Sequence, residues 1–197
     1  PDQPRARALY KQACDGDVDW ACNNLGVMHN RGEGGPVDAV TAKALFDKAC
    51  NLGHARGCTN LARELRSGDA GVKNLGDAAE MFDKQCRGGF QEACDELPVT
   101  VEQARIACAQ DASECNNWGY LHELGIGVDP DPAAAARFYD KACKAGEANG
   151  CANLAELHEL GKIGKADRKR ARALYDRACK LNLPRGCRKA LELRGGN

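Results

Sequence analysis

Small and apolar residues return along this chain at fixed offsets. Counted from Cys22, Cys58, Cys115 and Cys151, the positions three, four and seven residues on carry Leu25, Gly26 and His29, then Leu61, Ala62 and Leu65. The later copies carry Trp118, Gly119 and His122, then Leu154, Ala155 and His158. At about 100° per residue these positions share one side of a helix, which predicts a packing face. The opposite side reads differently. It holds Trp20, Asn24, Val27 and Arg31 in the first copy and Arg56, Asn60, Arg63 and Ser67 in the second. The next two copies place Ser113, Asn117, Tyr120 and Leu124, then Asn149, Asn153, Glu156 and Leu160 there. We call this segment helix A.

A second segment, helix B, ends at another cysteine. Tyr10-Lys-Gln-Ala-Cys14 recurs as Phe46-Asp-Lys-Ala-Cys50, Phe82-Asp-Lys-Gln-Cys86, Tyr139-Asp-Lys-Ala-Cys143 and Tyr175-Asp-Arg-Ala-Cys179. Twelve residues before those cysteines stand Asp2, Asp38, Asn74, Asp131 and Asp167. Asp and Asn are favoured N-caps because their oxygens accept the unpaired N–H groups of a first helical turn. Pro132, just after Asp131, suits the first helical position. Glycines between A and B, at 32, 34, 35, 68, 71, 125, 127, 161 and 164, predict short turns and antiparallel neighbours.

The cysteines measure the repeat. They lie at 14, 22, 50, 58, 86, 94, 108, 115, 143, 151, 179 and 187, in pairs eight residues apart except for one pair seven apart. Most first members follow one another at 35 or 36 residues, and a near-constant period marks an array of repeats. The step from Cys86 to Cys108 is only 22. About half a repeat is missing there. Pro98 is expected to cut helix A short after Cys94, with Thr100-Val-Glu-Gln103 as a capping box that opens helix B. The expected consequence is a truncated repeat over 94–108, a kink and an interrupted groove in one solenoid spanning 1–197. About twelve helices are expected.

Turn residues separate the members of most cysteine pairs, so each pair bridges the end of helix B and the start of the next helix A. A disulfide across the turn is one reading. Zinc is another, although its sites usually bring cysteines as close pairs two to four residues apart. A redox dithiol would need C-x-x-C, which is absent. Disulfides would imply an oxidising compartment. The beginning at Pro1 shows no leader pattern and reads as a mature or trimmed form. The array opens on helix B, which leaves room for a helix A before Pro1. Lys+Arg and Asp+Glu are 28 each, so no basic excess points to nucleic acid. No apolar run approaches the roughly 18 residues of a membrane span.

Cys22-Asn-Asn-Leu-Gly-Val-Met-His-Asn-Arg-Gly-Glu-Gly, Ala42-Lys-Ala-Leu-Phe-Asp-Lys-Ala-Cys50 and Gly125-Ile-Gly-Val-Asp-Pro-Asp131 resemble the Sel1-like repeat family, a relative of tetratricopeptide repeats. With the C-x7-C pairs, nearly the whole chain is similar to the secreted Helicobacter cysteine-rich branch. The resemblance implies an all-α, right-handed solenoid of α/α hairpins. It also implies the disulfides Cys14–Cys22, Cys50–Cys58, Cys86–Cys94, Cys108–Cys115, Cys143–Cys151 and Cys179–Cys187. It implies an exported scaffold, periplasmic or secreted from a bacterium, that binds a protein or an extended peptide. Two alternatives follow from the same likeness. Members of the branch are described as penicillin-binding with weak β-lactamase activity, and a mitochondrial relative is linked to haem and respiratory-chain assembly.

By that resemblance helix A lines the concave surface, where solenoids commonly bind. The Asn ladder Asn24, Asn60, Asn117 and Asn153 is expected to grip peptide backbone, since an amide both donates and accepts. The competing role for the ladder is to stabilise the helix start or to bond to the adjacent repeat. Trp20, Val27, Tyr120 and Leu124 are expected to take side chains, Arg56 and Arg63 acidic groups, and Glu156 completes the set. His29, His122 and His158 are expected as packing residues and not as metal ligands. Neither Ser67 nor Ser113, the two serines, sits in Ser-x-x-Lys, and no P-loop or Gly-x-Ser-x-Gly occurs, so no catalytic residue and no cofactor is assigned. Residues 165–197 carry 11 Lys/Arg against 3 Asp/Glu, a basic end able to meet an acidic partner.

Overall fold

The structure, a computed structural model, describes residues 2–71 and 73–195. Eleven α-helices and one 3-10 turn make up its regular structure, with no strand among the described residues. The helices are α1 (Gln3–Asp15), α2 (Asp19–Arg31), α3 (Ala39–Asn51), α4 (Ala55–Ser67), α5 (Leu75–Arg87) and α6 (Gln91–Gln110). After a 3-10 turn at Ala112–Glu114 come α7 (Cys115–Leu124), α8 (Pro132–Lys144), α9 (Ala148–Glu159), α10 (Arg168–Lys180) and α11 (Pro184–Gly195). The chain divides into two compact units, residues 1–100 and residues 101–197.

Helix B begins where its caps predict. The side chains of Asp2, Asp38, Asn74, Asp131 and Asp167 accept from the N–H groups of Arg5, Thr41, Asp77, Ala134 and Arg170. The A helices α2, α4 and α7 stop at Gly32, Gly68 and Gly125, each left-handed with φ of 70°, 81° and 71°. That conformation favours glycine because it has no Cβ to clash. Each B-helix start is also tied to the preceding A helix. The N–H groups of Asp38, Asp131 and Asp167 donate to the carbonyls of His29, His122 and His158 at 2.8–2.9 Å.

All twelve cysteines are paired in six disulfides, each joining the helices on either side of a B-to-A turn. The pairing is the one the family likeness implies. The helices meet closely at these turns. A Cβ built on Gly57 would come within 2.7 Å of the Ala49 Cβ, and the same clash recurs at 2.8 Å between Gly150 and Ala142. Glycine fits this close approach, and the small Ala21 and Ala93 fill the same place in the Cys14–Cys22 and Cys86–Cys94 junctions. The Cys108–Cys115 turn is one residue shorter, and its first helical turn is the 3-10 segment.

The core is built around the aromatic near the end of four B helices. Phe46 and Phe82 in the first unit and Tyr139 and Tyr175 in the second are fully buried. Phe46 packs with Ala42 and Leu61, and Phe82 with Ala62, Ala78 and Ala93. Tyr139 packs with Ala135, Leu154 and Leu157. Gly119, four residues after Cys115, admits the Tyr139 ring, since a Cβ there would lie 2.9 Å from it. Burying one such ring contributes about 2–3 kcal/mol.

One expectation is corrected. Pro98 does not end a helix, and Thr100 does not cap one. The stretch Gln91–Gln110 is a single 20-residue helix containing Pro98, so eleven helices form instead of twelve. Thr100 is buried, and its hydroxyl donates to the Glu96 carbonyl at 3.0 Å, a bond back along the helix and not a cap. The missing half-repeat thus takes the A-to-B loop and part of the helices that flank it, and the two run on as one. Proline removes one backbone bond and exposes its ring outward, so the surroundings tolerate it.

Candidate functional site

Five of the residues expected to bind a ligand come together in the first unit. Asn24 and Val27 of α2 and Arg56, Asn60 and Arg63 of α4 line one cavity of about 350 Å³. Glu92 of α6 closes it. An adjoining cavity of about 210 Å³ shares Val27, Asn60 and Arg63 and reaches down to Phe46 and Glu64. Trp20 stands half exposed on α2, edge-on to Tyr10 with ring centroids 6.0 Å apart.

The polar groups around the cavity are tied to one another. The Asn60 amide donates to Asn23 Oδ1 of the preceding repeat at 2.9 Å, and its oxygen accepts from Arg63 Nη1 at 3.1 Å. Arg63 also donates to Glu92 at 2.8 Å and to Glu96 at 2.6 Å. Burial lowers the affinity of Arg63 for its proton, but the two carboxylates outweigh this and hold it above the usual range. Burial raises Glu96, yet Arg63 and Arg66 hold it below the ordinary carboxylate value. Arg56 is exposed and lies 3.6 Å from Glu92. Among the described residues, Asn24 accepts from the Asn23 amide at 3.4 Å.

The second unit repeats the ladder's geometry. The Asn153 amide donates to Asn116 Oδ1 at 2.9 Å, and its oxygen accepts from Arg185 at 2.7 Å. The Asn117 amide reaches Glu114 at 3.4 Å. Tyr120 is partly buried against the Tyr139 core. Glu156 is half-buried, and its charge helps to raise the Tyr139 and Tyr175 hydroxyls. The ladder therefore has a structural role in both units. An Asn two residues after a junction cysteine clamps an Asn one residue after the preceding one.

The histidines pack as expected. Burial lowers His29, His122 and His158 below the ordinary value, with Arg7 adding to the effect at His29 and Arg170 at His158. His122 stacks on Phe138 and meets the edge of Trp118. The two serine hydroxyls are engaged locally, Ser67 with the Glu64 carbonyl and Ser113 with Asp111. No group of three or more His, Cys, Asp or Glu is arranged to hold a metal ion among the described residues.

Three features lay beyond the reading of the chain. Lys48 donates to the Cys14 carbonyl at 2.7 Å, and Lys141 to the Cys108 carbonyl at 2.9 Å, so the Lys of the two Asp-Lys-Ala-Cys motifs ties its repeat to the one before. The recurrence of that lysine was the available signal. Tyr139 and Tyr175 donate to Glu123 and Glu159 at 2.8 and 2.9 Å. The third feature is Glu64, a carboxylate 6% exposed.

Stacked antiparallel α-hairpins with one junction disulfide each define a cysteine-stapled α/α repeat protein. The Sel1 repeat model matches residues 1–18, 21–54, 115–147 and 148–183, more than half of the chain, and the chain belongs to the Sel1 repeat family. Solved structures resemble the chain at low identity. A protective antigen of uropathogenic Escherichia coli displaying an SLR fold is 21% identical over 100% of this chain and 45% of its own, with a TM-score of 0.48. A Sel1 repeat protein from Oxalobacter formigenes is 22% identical over 94% of this chain and 67% of its own, TM-score 0.44. Helicobacter pylori cysteine rich protein B is 24% identical over 76% of this chain and 92% of its own, TM-score 0.34. The chain thus spans under half the length of the E. coli protein. A search of curated proteins finds no match. Six disulfides suit an oxidising, extracytoplasmic compartment. No helix is long and apolar enough to cross a membrane among the described residues.

Proposed function

We propose that this protein is an exported, non-catalytic interaction scaffold, periplasmic or secreted, that holds an extended segment of a partner protein against its A helices. The observation that carries the reading is the cavity lined by Asn24, Val27, Arg56, Asn60 and Arg63, residues that recur at one register of helix A. Val27 offers an apolar wall. Asn24 and Arg56 keep polar groups for a ligand, whereas Asn60 and Arg63 are held in place by Asn23, Glu92 and Glu96. The equivalent register of the second unit, with Asn117, Tyr120, Asn153 and Glu156, extends the same role to that unit. Trp20 supplies a half-exposed aromatic anchor, the residue type that most often dominates binding.

The test is binding of the oxidised protein to arrays of short peptides, followed by calorimetry on the hits. Asn24→Ala and Arg56→Ala leave the inter-repeat clamp intact, so they report on the ligand and not on the fold. Each is expected to weaken a confirmed peptide by about three- to tenfold, the loss of about one hydrogen bond. Unchanged affinity in the double variant would remove the cavity from the binding surface.

A further inference from the structure

Glu64 breaks the pattern of its own repeat. Six residues after the junction cysteine, α2, α7 and α9 carry Met28, Leu121 and Leu157, all buried and apolar, while α6 carries the buried but uncharged Thr100. In α4 that place holds a carboxylate, 6% exposed. Asn30 of the preceding A helix donates to its Oε1 at 2.8 Å. Its Oε2 is buried and has no hydrogen-bond partner among the described residues. Leaving one oxygen of a buried carboxylate unmatched is unfavourable, and an apolar side chain would fill the site as its sister repeats do. Burial raises the group's affinity for a proton, with Asp69 acting in the same sense and Lys43 and the Asn30 bond opposing it.

Glu64 lines the 210 Å³ cavity beside the groove, a space of the size of one amino-acid residue. Val27 and Phe46 form its apolar wall. Arg31, also on its lining, is largely exposed, and among the described residues its counter-ion is Glu33, at 3.7 Å. An acceptor, an apolar wall and two cations, Arg31 and the Arg63 already neutralised by Glu92 and Glu96, are therefore grouped in one small space. We propose that this cavity recognises an α-ammonium group that carries a small apolar side chain. The ammonium is received by Glu64, the side chain lies against Val27 and Phe46, and the adjoining carbonyl or carboxylate faces Arg31. Such a group comes from the free N-terminus of a peptide or from a free amino acid. The inference rests on the groove reading of the adjoining cavity and gives that groove a direction, with the bound chain entering N-terminus first.

The experiment uses peptides tethered through their C-termini in two copies, one with free and one with acetylated N-termini. Free leucine and N-acetyl-leucine are measured alongside by calorimetry. Acetylation is expected to weaken peptide binding by at least about tenfold, the scale of losing a charged partner to a buried carboxylate. Glu64→Gln, which keeps the shape and the Asn30 bond, is expected to abolish that preference. Glu64→Met, which copies the residue at the same place in α2, is expected to fold, to raise the melting temperature and to bind free and acetylated peptides alike. Tight binding of free leucine, lost on acetylation, would assign the site to amino acids; discrimination among peptides alone would assign it to a chain terminus. Equal binding of free and acetylated peptides, still sensitive to Asn24→Ala, would overturn this inference and leave the groove standing. No binding by any peptide or by leucine would overturn both.

Discussion

Tyr139 and Tyr175 show how one residue position is tuned across the repeats. For the buried Tyr139 and Tyr175, the preceding A helix supplies Glu123 or Glu159 to accept the hydroxyl. At Phe82, Arg66 faces the ring at 5.5 Å instead. Burial, and then the charge of the facing glutamate, pushes both tyrosine hydroxyls well above their ordinary value, so they remain donors at every physiological pH. Tyr139→Phe is expected to lose about 1 kcal/mol in urea denaturation, since Glu123 keeps Lys162 as a partner at 2.8 Å. Gly119→Ala should be worse, by about 1–3 kcal/mol, because the new methyl would press on the Tyr139 ring. A neutral Gly119→Ala variant would mean that the ring can shift. The aromatic and glycine positions were legible in the chain as a packing face. Their pairing was not, because partners lie about 16 to 20 residues apart on different helices.

At the scale of elements, local chemistry decides most boundaries. Asp38 and Asp131 cap α3 and α8 as their spacing predicts, and an Ala at either position is expected to cost about 1 kcal/mol in the same assay. The exception is α6. A proline followed by Thr-x-x-Gln reads locally as a stop and a start, yet the segment stays helical. Arg66 bonds both Glu96 and Thr100, at 2.6 and 3.3 Å, and holds the two sides of Pro98 in one register. Pro98→Ala restores the missing N–H and is expected to stabilise the protein by up to about 3 kcal/mol, seen as a higher melting temperature. An unchanged or lower melting temperature would show that the helix depends on the proline's outward fit. The Arg63–Arg66–Glu92–Glu96 cluster that supports it joins residues 29 or more apart in sequence, which no local pattern reports.

At the scale of the molecule, stability is a sum of similar repeats and the staples between their helices. Each disulfide closes about eight residues and contributes on the order of 2.5 kcal/mol in the chain-entropy model. Alkylation of the denatured protein should add nothing before reduction and twelve adducts after it, as read by intact mass. Reduction should lower the melting temperature sharply. Acid acts through the histidines. His29, His122 and His158 bind protons more weakly folded than unfolded, chiefly because they are buried. As pH falls below about 6.5 the unfolded chain takes up protons first, so stability falls with it. Melting curves at about pH 7.5 and pH 5.5 should show the drop, and His122→Leu should reduce it. A flat profile would contradict the assigned burial.

The chain by itself determined the repeat period, the alternation of A and B helices, the caps, the packing face and, through its family likeness, the cysteine pairs. These are periodic or local properties, written in spacings that a single helix turn or a 36-residue step can carry. Tertiary structure alone decided what the polar face does. Asn60 and Arg63 stand at the register expected of ligand contacts, but their bonds to Asn23, Glu92 and Glu96 make them part of the frame. Glu64 looks like one more surface charge until packing buries it. A side chain's partners depend on which helices are brought together, and that arrangement is a property of the stacked repeats and not of any one of them.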